Sequence, residues 1–176
     1  MRCLRRCSMP LLNNDLVEIT IRQATVADAA RMCAIERAAS TVPWPLSAFE
    51  SELSSEHGAS YVALDGSGNV CAYIVSIMIS DEVHIHNLAT REHFRRRGIA
   101  ARLIDRVTDM ALRQGIHKAY LEVRSRNGAA IGLYEKCGFF VQFIRKKYYS
   151  DDQDDALIMT KNIGLGSVGE LYTRLA

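Results

Sequence analysis

Residues 61–90 hold three β-forming runs divided by turns too short to admit a helix, which commits the middle of the chain to an antiparallel meander. Tyr61–Leu64 and Val70–Ile79 are rich in β-branched and aromatic residues, and Asp65-Gly66-Ser67-Gly68-Asn69 between them is a concentrated turn signal. Ser80-Asp81 then turns the chain into a third run over 83–90.

Helical patterns flank this meander. A first strand over 18–23 leads to Thr25-x-x-Asp28, a capping box that predicts a helix to about Ala39 with Ala29, Met32, Cys33 and Ile35 facing the core. Ser47-x-x-Glu50 reads as a second box after Trp44, with Phe49 and Leu53 four apart on one face. Beyond the meander, residues 98–113 carry Ile99, Leu103, Val107 and Met110 at helical spacing, and Gly115 sits where a left-handed cap belongs. A strand over 118–123 follows. Asn127 then caps a helix bearing Ala130, Ile131 and Tyr134, which Gly138 ends before strands over 139–149 and 156–160.

The order β-α-α-β-β-β-α-β-α-β-β predicts an α/β fold with a mixed, mostly antiparallel sheet and helices on both faces. The strand from Val83 should run parallel to the strand from Lys118 through a right-handed helical crossover.

With 176 residues, 48% of them hydrophobic and 24% charged, the chain fits one domain, expected over residues 17–163 between short tails at 1–16 and 164–176. Met9 is an alternative start. A net charge of +2 gives no basic excess for nucleic acid. Cys3, Cys7, Cys33, Cys71 and Cys137 form no paired framework and no zinc spacing, so reduced thiols and no metal are expected. The opening MRCLRRCS is followed by no apolar run of signal length, and no stretch reaches membrane-spanning length. A cytoplasmic location, away from membranes, follows as an expectation.

The segment richest in chemistry is Asn87-Leu88-Ala89-Thr90 at a strand end, followed by Arg95-Arg96-Arg97-Gly98-Ile99-Ala100 opening a helix. Free amides at a helix start, small residues and arginines suit a pyrophosphate. No Gly-Lys-Ser/Thr follows, which removes a nucleotide-triphosphate loop. Taken alone, an exposed basic helix start remains the simpler reading.

Position and company change that reading. Arg95 to Ala100 resembles the Arg/Gln-x-x-Gly-x-Gly/Ala signature of the GNAT acetyltransferases, with alanine where glycine is commoner. Within that superfamily, Leu121-Glu122-Val123-Arg124, Asn127, Leu133-Tyr134-Glu135, Gly138-Phe139, Tyr148-Tyr149 and Asp155-Ala156-Leu157 resemble the RimI enzymes, as does Pro43-Trp44 before Phe49. The resemblance spans residues 19–163 and implies the GNAT fold, in which the parallel strand pair splays apart.

It also implies acetyl-CoA as cosubstrate, with Leu88 and Ala89 on the pantetheine arm, Arg95, Arg96, Arg97, Gly98, Ile99, Ala100 and Ala101 around the pyrophosphate, and Asn127 farther along. Glu122 matches the general base and Tyr134 the general acid. Trp44, Tyr148, Tyr149, Asp151 and Asp152 are expected to receive the substrate, a protein N-terminus such as that of a basic ribosomal protein.

The acidic loop formed by Asp151, Asp152, Asp154 and Asp155 is expected to be a negative patch that steers such a peptide. Without the family, Glu122 reads as a solvated or salt-bridged carboxylate and Tyr134 as a half-buried core residue. Small amines and protein lysines remain alternative acceptors, and a non-catalytic acyl-CoA-binding module is the alternative of another class. His84 and His86, alternating on one strand, stay open as a metal pair, a second base or a cleft lining. Direct attack needs no acyl-enzyme, so Cys137 is not expected to be a nucleophile.

Overall fold

A computed structural model describes residues 18–164. The terminal segments, with Met9, Cys3 and Cys7, lie outside the described residues. The strands are β1 (Thr20–Gln23), β2 (Tyr61–Leu64), β3 (Val70–Ile79), β4 (Glu82–Thr90), β5 (Lys118–Arg124), β6 (Phe140–Arg145) and β7 (Ala156–Asn162). The helices are α1 (Ala29–Ala39), α2 (Leu46–Leu53), α3 (Ile99–Arg113) and α4 (Gly128–Lys136). One sheet runs β1-β2-β3-β4-β5-β7-β6, antiparallel throughout except for the pair β4/β5.

Alternation along β3 divides the core. Cys71, Ala72 and Ile74 pack with Ile99, Leu103, Ile104, Val107 and Ala111 of α3, while Val70, Tyr73 and Val75 pack with α1 and Phe49 of α2. The sheet is thereby covered on two faces by different helices, each buried Leu or Ile contributing about 1.5–3 kcal/mol. Gly115, at φ 77°, ends α3 in the left-handed conformation expected of a cap. Asn127 Oδ1 accepts from the Ala130 amide at 3.1 Å and opens α4.

Two of three local expectations need correction. The Ser47–Glu50 box does not form: Pro45 occupies the N-cap with extended backbone, so α2 starts at Leu46 and Ser47 already lies inside it. The Thr25–Asp28 box forms as expected, the Asp28 carboxylate accepting from the Thr25 amide at 2.9 Å and its hydroxyl at 3.1 Å, and it opens a 3-10 turn over Val26–Asp28 that runs directly into α1, which ends at Ala39. The strand expected over 139–149 is shorter, because β6 stops at Arg145 and Lys147 turns the chain at φ 51°. Tyr148 and Tyr149 therefore stand on a loop.

Candidate active site

The parallel pair β4/β5 holds only from Glu82↔Lys118 to Ile85↔Leu121. A register shift between Val75 and Ser76 leaves His86 as an extra residue on β4 at the point where pairing with β5 ends. Such a bulge bends a strand and raises its twist. Beyond it β4 continues along β3, while β5 continues along β7 from Leu121 through Arg124. The two strands fork, and the side of Leu88 and Ala89 that faces β5 has no strand partner.

The fork opens on a cavity of about 530 Å³, within the size range of cofactor sites. Leu88, Ala89, Arg95, Arg96, Gly98, Ile99, Ala100 and Ala101 line it, with Tyr134 in its wall. Arg96 and Gly98 both take positive φ, 62° and 75°, a backbone of the kind that gathers amides into an anion-binding concavity. The first bond of α3 runs from the Arg102 amide to the Gly98 carbonyl at 3.1 Å, so the preceding amides of the helix start have no partner within the helix. A Cβ built on Gly98 meets nothing within 4 Å, which places open space beside the main chain there.

Two of the expected cofactor residues sit differently. Arg97 is not in the cavity lining, and its guanidinium lies 5.6 Å from the Phe94 ring centroid. Asn127 is likewise outside the lining, and its side chain is engaged as the cap of α4. The sequence reading missed Gly128, Ala129, Gly132 and Lys136 of α4, which form the facing wall. The signal was present, since Gly128-Ala129-Ala130 at a helix start leaves room for a ligand.

Glu122 is the first residue of β5 past the fork, with a side chain 37% exposed. Its Oε1 accepts from Arg145 Nη1 at 2.7 Å, so the salt-bridged reading of this carboxylate is realised. Tyr134 is buried in α4 and packs its ring against Phe139 at 5.9 Å. Burial pushes its phenol up to about 12, with the charges of Cys137 and Tyr149 adding to the effect. It therefore stays protonated, as a donor, at neutral pH. Burial first, and Glu122 next, raise Tyr149 above its ordinary value. Cys137 is also raised, mainly by burial, which leaves it a poor nucleophile.

On the other side of the sheet, Trp44 packs against Phe49 at 5.6 Å and Phe49 against Tyr73 at 5.4 Å. The Tyr73 hydroxyl donates to Glu36 Oε2 at 2.6 Å and lies 3.3 Å from Asn87 Oδ1, while the Trp44 backbone amide donates to Glu36 Oε1 at 3.4 Å. Glu36, buried on α1 in the same helical stripe as Met32 and Cys33, thus ties the Trp44 segment to β4 beside the fork. The sequence reading overlooked it, although its spacing from those apolar residues marks the buried face.

His84 and His86 each have their own carboxylate, Glu82 at 3.1 Å and Glu52 at 3.2 Å. Among the described residues no group of three or more metal-ligating side chains occurs.

The acidic loop differs from the expected open negative patch. Arg124 donates to Asp151 at 2.9 Å and to Asp152 at 2.8 Å, Lys146 to Asp155 at 2.7 Å, and Asp154 is buried against the Ser125 hydroxyl at 2.6 Å with Arg126 at 3.8 Å. Cations from β5 and from the end of β6 neutralise it, and a count of charges along the loop alone does not see them.

Comparison with known proteins agrees with this architecture. Residues 29–139 match the model of the acetyltransferase (GNAT) family. The chain is 31% identical over 150 residues to the ribosomal protein bS18-alanine N-acetyltransferase of Escherichia coli (strain K12), covering 83% of this chain and 99% of that protein. It is 33% identical over 156 residues to the N-alpha-acetyltransferase RimI of Mycobacterium tuberculosis, covering 85% and 96%. The crystal structure of the ribosomal-protein-S18-alanine N-acetyltransferase from Escherichia coli superposes with a TM-score of 0.78 at 29% identity, over 86% of this chain and 97% of that one. A forked β4/β5 pair, a left-handed glycine at the start of α3 and likeness along most of the chain have one meaning together: the chain belongs to the GNAT acetyltransferase family and is an acetyl-CoA-dependent N-acetyltransferase.

Proposed function

We propose that this enzyme acetylates the N-terminal α-amine of a protein in the cytoplasm, with an N-terminal alanine of a basic ribosomal protein as substrate; relatives named for the alanine of ribosomal protein bS18 support this reading. The observation that carries the reading is the placement of Glu122 at the first step past the fork, with the protonated Tyr134 in the wall of the cavity that the fork opens. The cavity fits acetyl-CoA: Arg95, Arg96 and the amides of residues 98–101 suit a pyrophosphate, and the unpaired side of Leu88 and Ala89 suits an amide-bearing arm. Acetyl-CoA supplies an activated acetyl group and a thiolate leaving group.

The chain's own residues manage protons. Glu122 accepts one from the substrate ammonium, directly or through water, and Tyr134 donates one to the leaving sulfur, each role being worth about 10²–10⁴ in rate. An α-amine of pKa about 7.7–8.0 is about one-tenth neutral at pH 7, whereas a lysine at about 10.4 is neutral less than about one time in a thousand. A carboxylate base therefore serves an N-terminus more readily than a lysine. Trp44 and the loop carrying Tyr148 and Tyr149 are assigned to the peptide.

The test is mass spectrometry of products from an alanine-starting peptide that also contains lysine, run beside a panel of small amines. Acetylation at the α-amine is expected. Acetylation confined to lysine side chains or to small amines would refute the assignment.

A further inference from the structure

Arg145 and Glu122 stand on strands separated by β7, yet their side chains meet at 2.7 Å. The register explains how. Arg124, Ala156 and Arg145 form one row across β5, β7 and β6, and Glu122, Ile158 and Phe143 form the next row on the same face. The small Ala156 leaves the Arg145 side chain free to lie over β7 toward Glu122.

Arg145 is itself held on two sides. Its guanidinium carbon is 5.8 Å from the ring centroid of Phe143 and 5.3 Å from that of Tyr148. The neighbouring cations are committed elsewhere: Arg124 to Asp151 and Asp152, Arg126 to Asp152 and Asp154, and Lys146 to Asp155. Arg145 engages only Oε1, and among the described residues Oε2 of Glu122 has no protein partner.

A half-exposed glutamate samples many rotamers when nothing restrains it. We infer that Arg145 is a positioning residue for Glu122: its guanidinium fixes the carboxylate by one oxygen and leaves the other turned out for the substrate's ammonium proton. The inference rests on the reading of Glu122 as the base. Arg145 touches neither substrate nor cofactor in this account and acts through Glu122 alone. A base held in place raises the rate of the chemical step without strengthening binding.

The test is steady-state kinetics with an alanine-starting peptide for the wild type, Arg145→Met, Arg145→Lys, Glu122→Gln and the double variant Arg145→Met/Glu122→Gln. Methionine keeps an apolar stem between Phe143 and Tyr148 and removes the charge. Arg145→Met is expected to lower kcat about tenfold with both KM values within about twofold, and Arg145→Lys to recover part of the loss. In the Glu122→Gln background the methionine substitution should change kcat by less than about twofold, because the group it positions is gone. Wild-type kcat in Arg145→Met, a lysine variant no better than methionine, a loss seated in KM, or an equal loss in the Glu122→Gln background would overturn the positioning role while leaving the base in place. Wild-type turnover in Glu122→Gln would instead remove the base reading itself.

Discussion

The Arg124 guanidinium carbon lies 3.9 Å from the ring centroid of Tyr149 while its nitrogens hold Asp151 and Asp152 on the loop just beyond that ring. One side chain at the end of β5 therefore fixes the loop to which peptide binding is assigned.

Arg124→Gln is expected to raise the peptide KM about fivefold with a smaller effect on kcat, since the loop loses its anchor and the proton-transfer groups remain. The hydrogen bond from Arg124 holds Asp151 below the usual carboxylate range. Order in the loop should thus be complete above that range and be lost as pH falls through the lowered value. Peptide KM measured against pH in both proteins checks this; superimposable profiles would separate the loop from Arg124.

Gly98→Glu should weaken acetyl-CoA binding at least tenfold by calorimetry, because it puts a bulky anion into the open space beside the amides of the α3 start. The positive φ of 75° adds a cost of about 1–2 kcal/mol to any side chain at this position. Gly98→Ala separates the two effects: it should lower stability by a similar amount and retain more of the affinity.

Glu122→Gln is expected to lower kcat at pH 7 and to recover in part by pH 9, where the substrate α-amine deprotonates unaided. Tyr134→Phe should show no such recovery. Its phenol, pushed up to about 12, keeps its proton across that range, and the donor it supplies is missing at every pH. Identical pH profiles for the two variants would argue against separate base and acid roles.

Asp28 is buried, and hydrogen bonds from Arg22 at 2.7 and 2.8 Å, reinforced by Thr25, lower its carboxyl to about 2. A depressed carboxylate stabilises the fold above its unfolded value and ceases to do so as pH falls through the folded one. Asp28→Asn should therefore cost about 2 kcal/mol at pH 7, with the two proteins converging near pH 2. Urea denaturation at both pH values measures the difference.

The elements legible in the sequence were those specified by neighbours in the chain. Asp65 caps its own turn through the amides of Ser67 and Asn69 at 2.9 Å, and Gly98, Gly115 and Gly138 mark helix boundaries by positive φ. The cavity lining around Leu88, Arg96 and Gly98 lies on one strand end and one helix start, but it was the family resemblance, and not the local pattern, that turned a basic helix start into a cofactor site. What escaped depends on partners far along the chain. Glu122 meets Arg145 across 23 residues, Arg124 meets Asp151 across 27, and Tyr73 meets Glu36 across 37. Pairings of this kind come from strand order, which no local pattern encodes. The cap at Pro45 failed for a different reason, since proline set the helix start ahead of a serine that matched the capping pattern equally well.

The bulge at His86 leaves part of β4 as an edge in the interior of a sheet, on the side where the cavity opens. Backbone groups in that position are completed by a small molecule or by water, so the folded state and the cosubstrate are thermodynamically linked. Occupancy at a hundred times the dissociation constant adds about 2.7 kcal/mol to the native state. The melting temperature of this protein is accordingly expected to rise with the concentration of free acetyl-CoA.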